Sequence, residues 1–163
     1  MKRKTALYGL LVALAFIFGY VEMLVPVPVG IPGIKLGLAN GVTLAVLYLL
    51  RPRDALAVSL IRILLTGLTF GSPASMLYSL CGGMLSFMTM WLCRRSDRFS
   101  VVGVSLAGGV AHNVGQLLLA AAVLGVRPVA WYAPLLLVTG LITGGLVGGL
   151  VRLLLPRLRR LFR

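Results

Sequence analysis

One arginine lies inside an apolar run, in the stretch SLIRILLTGLT at 59–69. Ser59, Arg62, Thr66 and Thr69 are spaced by three, four and three residues, so they share one face of a helix. A serine or threonine can satisfy its hydroxyl on its own backbone. A guanidinium within a membrane is costly unless it is paired or wetted. Arg62 is therefore predicted to face the interior of the protein.

A second polar group lies in GVAHNVGQLL at 109–118. His112 and Gln116 are one helical turn apart, and Asn113 lies beside them. Such side chains can bind a ligand, or they can form interhelical hydrogen bonds worth about 1 kcal/mol each. Both interpretations stay open at this point.

The third group surrounds an irregular stretch, VEMLVPVPVGIPGIKLGLAN at 21–40. Glu22 ends one apolar run, and Lys35 and Asn40 lead into the next. Three prolines between them prevent a continuous helix. Irregular backbone at membrane depth is tolerated where it lines a cavity or is covered by protein. Residues 25–35 are therefore either a lid over an outer cavity or an ordinary loop, and Glu22 either pairs structurally with Arg62 or binds ligand.

The elements that must position these groups are membrane helices. The chain is 60% hydrophobic with only three acidic residues in 163, and its mean hydropathy is +1.04. Apolar runs alternate with basic clusters, which is the positive-inside pattern, and places both termini in the cytoplasm. We predict an all-α, multi-pass protein of the cell membrane, with one domain over 1–163. Six transmembrane helices are expected near 6–24, 36–50, 55–70, 73–93, 100–124 and 130–155.

The net charge of +13 does not predict a nucleic-acid partner, because the basic residues sit at the ends of the spans and face lipid headgroups. The alternating direction of the spans instead places the polar side chains in the middle or outer half of the membrane. We predict a polar cavity that opens outward and binds a small polar or anionic ligand. Its candidate ligand-binding residues are Glu22, Lys35, Asn40, Arg62, Thr66, His112, Asn113 and Gln116.

Small residues form stripes along three of the spans. Span five has Gly103, Ala107, Ala111 and Gly115, and span six has Gly140, Gly144 and Gly148. Such stripes let helix backbones approach closely, and in spans five and six they favour packing within the bundle. In span one, Gly9, Ala13, Ala15 and Gly19 fit either internal packing or docking onto a separate membrane partner.

The motifs of several enzyme classes are missing from the sequence. It has no GxxxxGK[ST] phosphate loop, no aspartate-rich motif for metal-bound diphosphate, no metal cluster and no Ser-His-Asp arrangement. Cys81 and Cys93 do not form a CxxC pair and are expected to be reduced packing residues. We therefore expect neither catalysis nor a metal or cofactor, and the basic-then-apolar start is expected to remain as an uncleaved first span.

Four motifs carry a family resemblance: KLGLAN at 35–40, SLIRILL at 59–65, GGMLS at 82–86 and GVAHNVGQLL at 109–118. Over about residues 6–150 the chain resembles the bacterial Gx transporter family, also labelled heptaprenyl diphosphate synthase component I. That family is similar to the substrate-binding (S) subunits of energy-coupling-factor transporters.

The resemblance implies a six-helix protein that binds a vitamin-like ligand from outside. It also implies that small residues of the first helix dock onto a transmembrane coupling protein driven by separate ATPases. The label implies an alternative, a non-catalytic membrane accessory component of heptaprenyl diphosphate synthase. A membrane part of a flavin or quinone redox system and a structural scaffold are further alternatives.

Overall fold

The computed structural model describes residues 2–24 and 37–161. The lid-like loop predicted at 25–35, including Lys35, lies outside the described residues. Within them the secondary structure is helical throughout, so the predicted all-α class is confirmed. The six helices are α1 (Lys2–Leu24), α2 (Asn40–Leu49), α3 (Pro52–Thr69), α4 (Pro73–Arg95), α5 (Val101–Leu124) and α6 (Val126–Leu161).

The helix starts follow from local chemistry. Pro52 and Pro73 occupy the first helical positions of α3 and α4, where a missing N–H costs nothing. Ser72 and Ser100 cap α4 and α5, each accepting a backbone N–H at 3.1 Å. Gly125 separates α5 from α6 with a φ of +86°, a conformation that residues with a side chain rarely adopt.

Two helices differ clearly from their predicted spans. Helix α2 has only 10 residues, because a turn with Gly37 at φ +85° precedes it. Helix α6 has 36 residues and continues well beyond the predicted end at 155. Its additional residues include Arg157, Arg159 and Arg160. Their low hydropathy predicts that they lie outside the membrane, but the helix itself does not end where the apolar residues end.

Three helices are long and apolar enough to cross a membrane: Pro73–Arg95, Val101–Leu124 and Val126–Arg160. Ala6–Glu22 and Asn40–Leu49 are shorter apolar helices. The chain therefore has the character of a membrane protein. Six complete spans with both termini in the cytoplasm remain a prediction.

Helices α5 and α6 pack most closely of all, as an antiparallel pair. A Cβ added to Gly109 would lie 2.4 Å from the carbonyl oxygen of Gly140, and one added to Gly144 would lie 2.7 Å from that of Ser105. One added to Gly148 would lie 3.0 Å from Cα of Val102. The predicted glycine stripe of α6 thus packs inside the bundle. We call this contact the α5–α6 seam.

The short helix α2 lies inside the bundle, and seven of its ten residues are buried. Its apolar residues belong to a core cluster to which α1, α3, α4, α5 and α6 also contribute. A smaller cluster around Tyr78, Leu117 and Leu136 joins α4, α5 and α6. The start of α2 brings polar side chains into this packed interior.

Candidate functional site

The carboxylate of Glu22 holds the turn that starts α2. It accepts hydrogen bonds from the backbone N–H groups of Gly37 and Leu38, the second at 3.1 Å. Glu22 is only 3% exposed, and a buried carboxylate requires such donors to replace water. A carboxylate near the end of α1 therefore anchors the entry to α2.

Arg62 reaches the same turn from α3. Its Nη2 donates to Oδ1 of Asn40 at 3.4 Å, and its positive charge is attracted electrostatically by Glu22. The side chain is 3% exposed, so the predicted inward orientation of Arg62 is confirmed. Within the part of the chain that the structure describes, Nε of Arg62 and Nδ2 of Asn40 are buried and have no hydrogen-bond partner.

Helix α5 contributes His112 and Gln116 to the same region. Nε2 of Gln116 lies 2.9 Å from Nε2 of His112, which is within hydrogen-bond distance. A Cβ on Gly37 would lie 3.0 Å from Nδ2 of Asn40 and 3.1 Å from Cδ2 of His112, so the turn touches both side chains.

Five of the predicted site residues therefore converge from four parts of the chain. We call them the polar cluster: Glu22, Asn40, Arg62, His112 and Gln116. All five are buried. The sequence predicted that these groups occupy the middle or outer half of the membrane, and the structure shows that Gly37 contacts Glu22, Asn40 and His112.

Thr66 and Asn113 form other contacts. The Thr66 hydroxyl donates to the carbonyl of Arg62 at 2.8 Å on its own helix. The amide of Asn113 donates to the carbonyl of Leu136 on α6, and Gly140 leaves the space for it. These hydrogen bonds satisfy the Thr66 hydroxyl and the amide nitrogen of Asn113, whereas Oδ1 of Asn113 is buried and has no partner within the described residues.

Sequence reasoning assigned no role to Gly37 and Gly82. A Cβ on Gly82 would lie 2.8 Å from the carbonyl oxygen of His112 and 2.9 Å from its Nδ1, so α4 can approach the imidazole only with glycine there. Ser79 and Ser86 flank Gly82 on α4, and in the described residues their buried hydroxyls lack hydrogen-bond partners. The signal was the GG pair in GGMLS, which the interpretation of span four did not use.

A small cavity lies beside the polar cluster. Gly37 and Asn40 line it together with Ser105 and Thr143, and its volume is about 10 Å³. That volume holds roughly one water molecule. A larger ligand would need the surrounding helices or the entry turn to move.

The four small residues of α1 divide into two pairs. Gly9 and Ala13 are exposed, and a Cβ on Gly9 would meet nothing within 4 Å. Ala15 and Gly19 are buried, and a Cβ on Gly19 would lie 2.8 Å from Oγ1 of Thr66. Only the first pair is therefore available to a partner, because the second packs inside the bundle.

Across residues 2–24 and 37–161, no three His, Cys, Asp or Glu side chains come together in a way that would hold a metal ion. Cys81 and Cys93 are free thiols. The chemistry of the polar cluster is therefore hydrogen bonding and charge, supplied by a guanidinium, a carboxylate, two amides and an imidazole.

These features define an all-helical membrane protein with a polar cluster buried in its bundle. The sequence profile of the heptaprenyl diphosphate synthase component I family matches residues 11–154, and the chain belongs to that family. Comparison with curated proteins and with solved structures returned no match.

Proposed function

We propose that the chain is the membrane-embedded substrate-binding subunit of an energy-coupling-factor-like transporter, which takes a small polar or anionic ligand from the outer side. The observation that carries this proposal is the pair of buried donors in the polar cluster, Nε of Arg62 and Nδ2 of Asn40. Leaving such donors unsatisfied costs about 1–3 kcal/mol each. An acceptor-rich ligand would satisfy both.

The donors of Arg62 support the same ligand class. Glu22 accepts two backbone N–H groups and attracts Arg62 electrostatically, but Nε of Arg62 has no hydrogen-bond partner within the described residues. A guanidinium presents several donors in a fixed fork, which suits a carboxylate or another planar acceptor. In this proposal the spans number six, both termini are cytoplasmic, and the polar cluster opens outward past the entry turn of α2.

The direct experiment is mass spectrometry of small molecules retained by the protein purified in mild detergent. We expect wild type to retain a compound that carries an acceptor or anionic group. Arg62→Lys keeps the charge but removes the fork, so it should lose that compound while the unfolding temperature stays close to wild type. Leu64→Ala, at an exposed position of the same helix, is the control and should retain it. Equal retention by Arg62→Lys and wild type would remove Arg62 from the site.

Docking onto a coupling protein is the second element of the proposal, and exposed Gly9 and Ala13 support it. Gly9→Leu should reduce co-purification of a transmembrane partner and its ATPases at least severalfold. Gly149→Leu is a matched control, since a Cβ at either glycine would meet nothing within 4 Å. Loss of the partner in both variants, or in neither, would contradict a specific docking face on α1.

Family membership favours one alternative, a non-catalytic membrane accessory component of heptaprenyl diphosphate synthase. It predicts physical association with an aspartate-rich prenyl synthase and loss of long-chain product when the gene is deleted. Under the transport proposal, deletion should leave synthase activity unchanged in cell extracts. The two outcomes separate the functions without knowledge of the ligand.

A further inference from the structure

A basic pocket lies at the far end of the α5–α6 seam from the polar cluster. The seam ends where Gly148 packs on Val102. Helix α5 begins at Val101, while α6 continues to Leu161, about 20 Å further at 1.5 Å per residue. The part of α6 beyond Gly148 packs Val151 and Leu155 into the core and has the start of α5 on another side, and the pocket lies between α6 and the start of α5.

The pocket has a cationic wall and an apolar floor. It has a volume of about 420 Å³ and is lined by Val101, Arg152, Leu155, Pro156, Arg159 and Arg160. The spacing of the α6 residues places them on one face of that helix. None of the six lining residues is acidic, so the pocket carries three formal positive charges. The beginning of α5 adds the positive end of a helix dipole, which favours an anion.

The position of the pocket identifies the kind of anion. It lies where two membrane-crossing candidates, Val101–Leu124 and Val126–Arg160, begin and end, and the ends of membrane-spanning helices are where lipid headgroups are expected. A soluble phosphate would contact the arginines but would leave the apolar residues Val101, Leu155 and Pro156 without a partner. A phosphate joined to an apolar tail would use both sets, since its ester carbons would cover the floor.

We propose that this pocket binds the phosphate headgroup of an anionic membrane lipid. Arg152, Arg159 and Arg160 contact the phosphate oxygens, and the apolar floor receives the glycerol end of the acyl chains. Basic pockets between membrane helices commonly bind anionic headgroups. The site is separate from the polar cluster and does not depend on the proposed transport function.

The test is native mass spectrometry of the intact protein titrated in detergent with phosphatidylglycerol or with zwitterionic phosphatidylcholine. We expect phosphatidylglycerol to bind at least about 10-fold more tightly. Arg159→Ala with Arg160→Ala should weaken that binding by roughly 10- to 30-fold, because each surface arginine contributes about 1 kcal/mol to anionic lipid binding.

The matched control is Arg157→Ala with Arg127→Ala. Like the first double variant, it removes two positive charges from exposed positions of α6, but these positions do not line the pocket. The affinity for phosphatidylglycerol should therefore change by less than about threefold. Equal weakening in the two double variants would overturn the proposal, since net charge alone would then explain it. Sodium pyrophosphate that binds as tightly as the lipid would also overturn it, because the apolar floor would then contribute nothing.

Discussion

The α5–α6 seam and the polar cluster are both contacts between helices, but different kinds of residue form them. In the seam, glycines bring two backbones together so closely that a Cβ on Gly109 would lie 2.4 Å from a carbonyl oxygen. In the polar cluster, polar side chains from α1, α2, α3 and α5 meet inside the bundle, and two buried donors, Nε of Arg62 and Nδ2 of Asn40, lack partners in the described residues. The seam leaves a cavity of only about 10 Å³ beside it, whereas Arg62 and Asn40 in the polar cluster have unmet hydrogen-bonding capacity. Function is therefore expected in the polar cluster and stability in the seam.

The seam should show the largest effect of any single change. Gly109→Val places a branched side chain against the backbone of Gly140, which cannot yield as a flexible side chain can. Overpacking typically costs about 1–3 kcal/mol and occasionally more, and because the obstacle here is backbone we expect loss of folded protein. The measurement is the unfolding temperature in detergent. Gly149→Val, which meets nothing within 4 Å, should leave that temperature unchanged, and a similar loss in both variants would contradict the seam as the source.

The charges of the polar cluster come next in expected size. Arg62→Met alone removes the cation that attracts the buried Glu22 carboxylate, and losing one partner of a buried charge pair costs up to about 3–5 kcal/mol. Adding Glu22→Gln to Arg62→Met removes the stranded charge, so the double variant should be more stable than Arg62→Met alone. Denaturant unfolding of the two singles and the double measures the coupling. Strictly additive losses would mean that the two charges do not interact.

The glycine behind the imidazole should affect binding more than folding. Gly82→Ala places a methyl group 2.9 Å from Nδ1 of His112 and displaces the ring, at a cost of about 1–3 kcal/mol in stability. We expect ligand retention to be lost as well. Gly83→Ala is the neighbouring control, because its methyl group meets the flexible end of Ile63. Retention should survive in that variant, and equal retention in both would argue against a role for the His112 position.

Thr66 should show the smallest effect. Its hydroxyl is satisfied on its own helix at 2.8 Å, so Thr66→Val removes one intrahelical hydrogen bond and preserves the shape of the side chain. A change below about 1 kcal/mol in unfolding free energy, with ligand retention intact, is expected. Loss of retention in this variant would place the hydroxyl in the binding site and extend the polar cluster along α3.

The same comparison explains which features could be read from the sequence. A guanidinium in an apolar run has few allowed positions, so the burial of Arg62 followed from its type and context. Glycines at 140, 144 and 148 likewise predicted close packing of α6. The partner surface on α5 was less predictable: Gly109 and Ser105 contact α6, while Gly115 packs against α4. Periodicity identifies a helix face but does not say which neighbour that face meets.

The convergence of the polar cluster could not be deduced from spacing. It depends on Gly37 adopting a positive φ and on Glu22 accepting N–H groups fifteen and sixteen residues away. Such contacts are set by the tertiary fold. Two helix ends were missed for a related reason: the start of α3 at Pro52 and the end of α6. Hydropathy indicates which residues contact lipid, but it does not show where a helix begins or ends.

The transport proposal requires that the polar cluster opens to the outer surface and is not a sealed structural network. The direct measurement is labelling of Asn40→Cys, in a background with Cys81→Ala and Cys93→Ala, by a membrane-impermeant thiol reagent added from outside. Ser86→Cys, on the buried face of α4, is the control that should label only after denaturation. We predict that position 40 is labelled in the folded protein. Labelling at position 40 only after denaturation, or only from the cytoplasmic side, would contradict an outward-opening site.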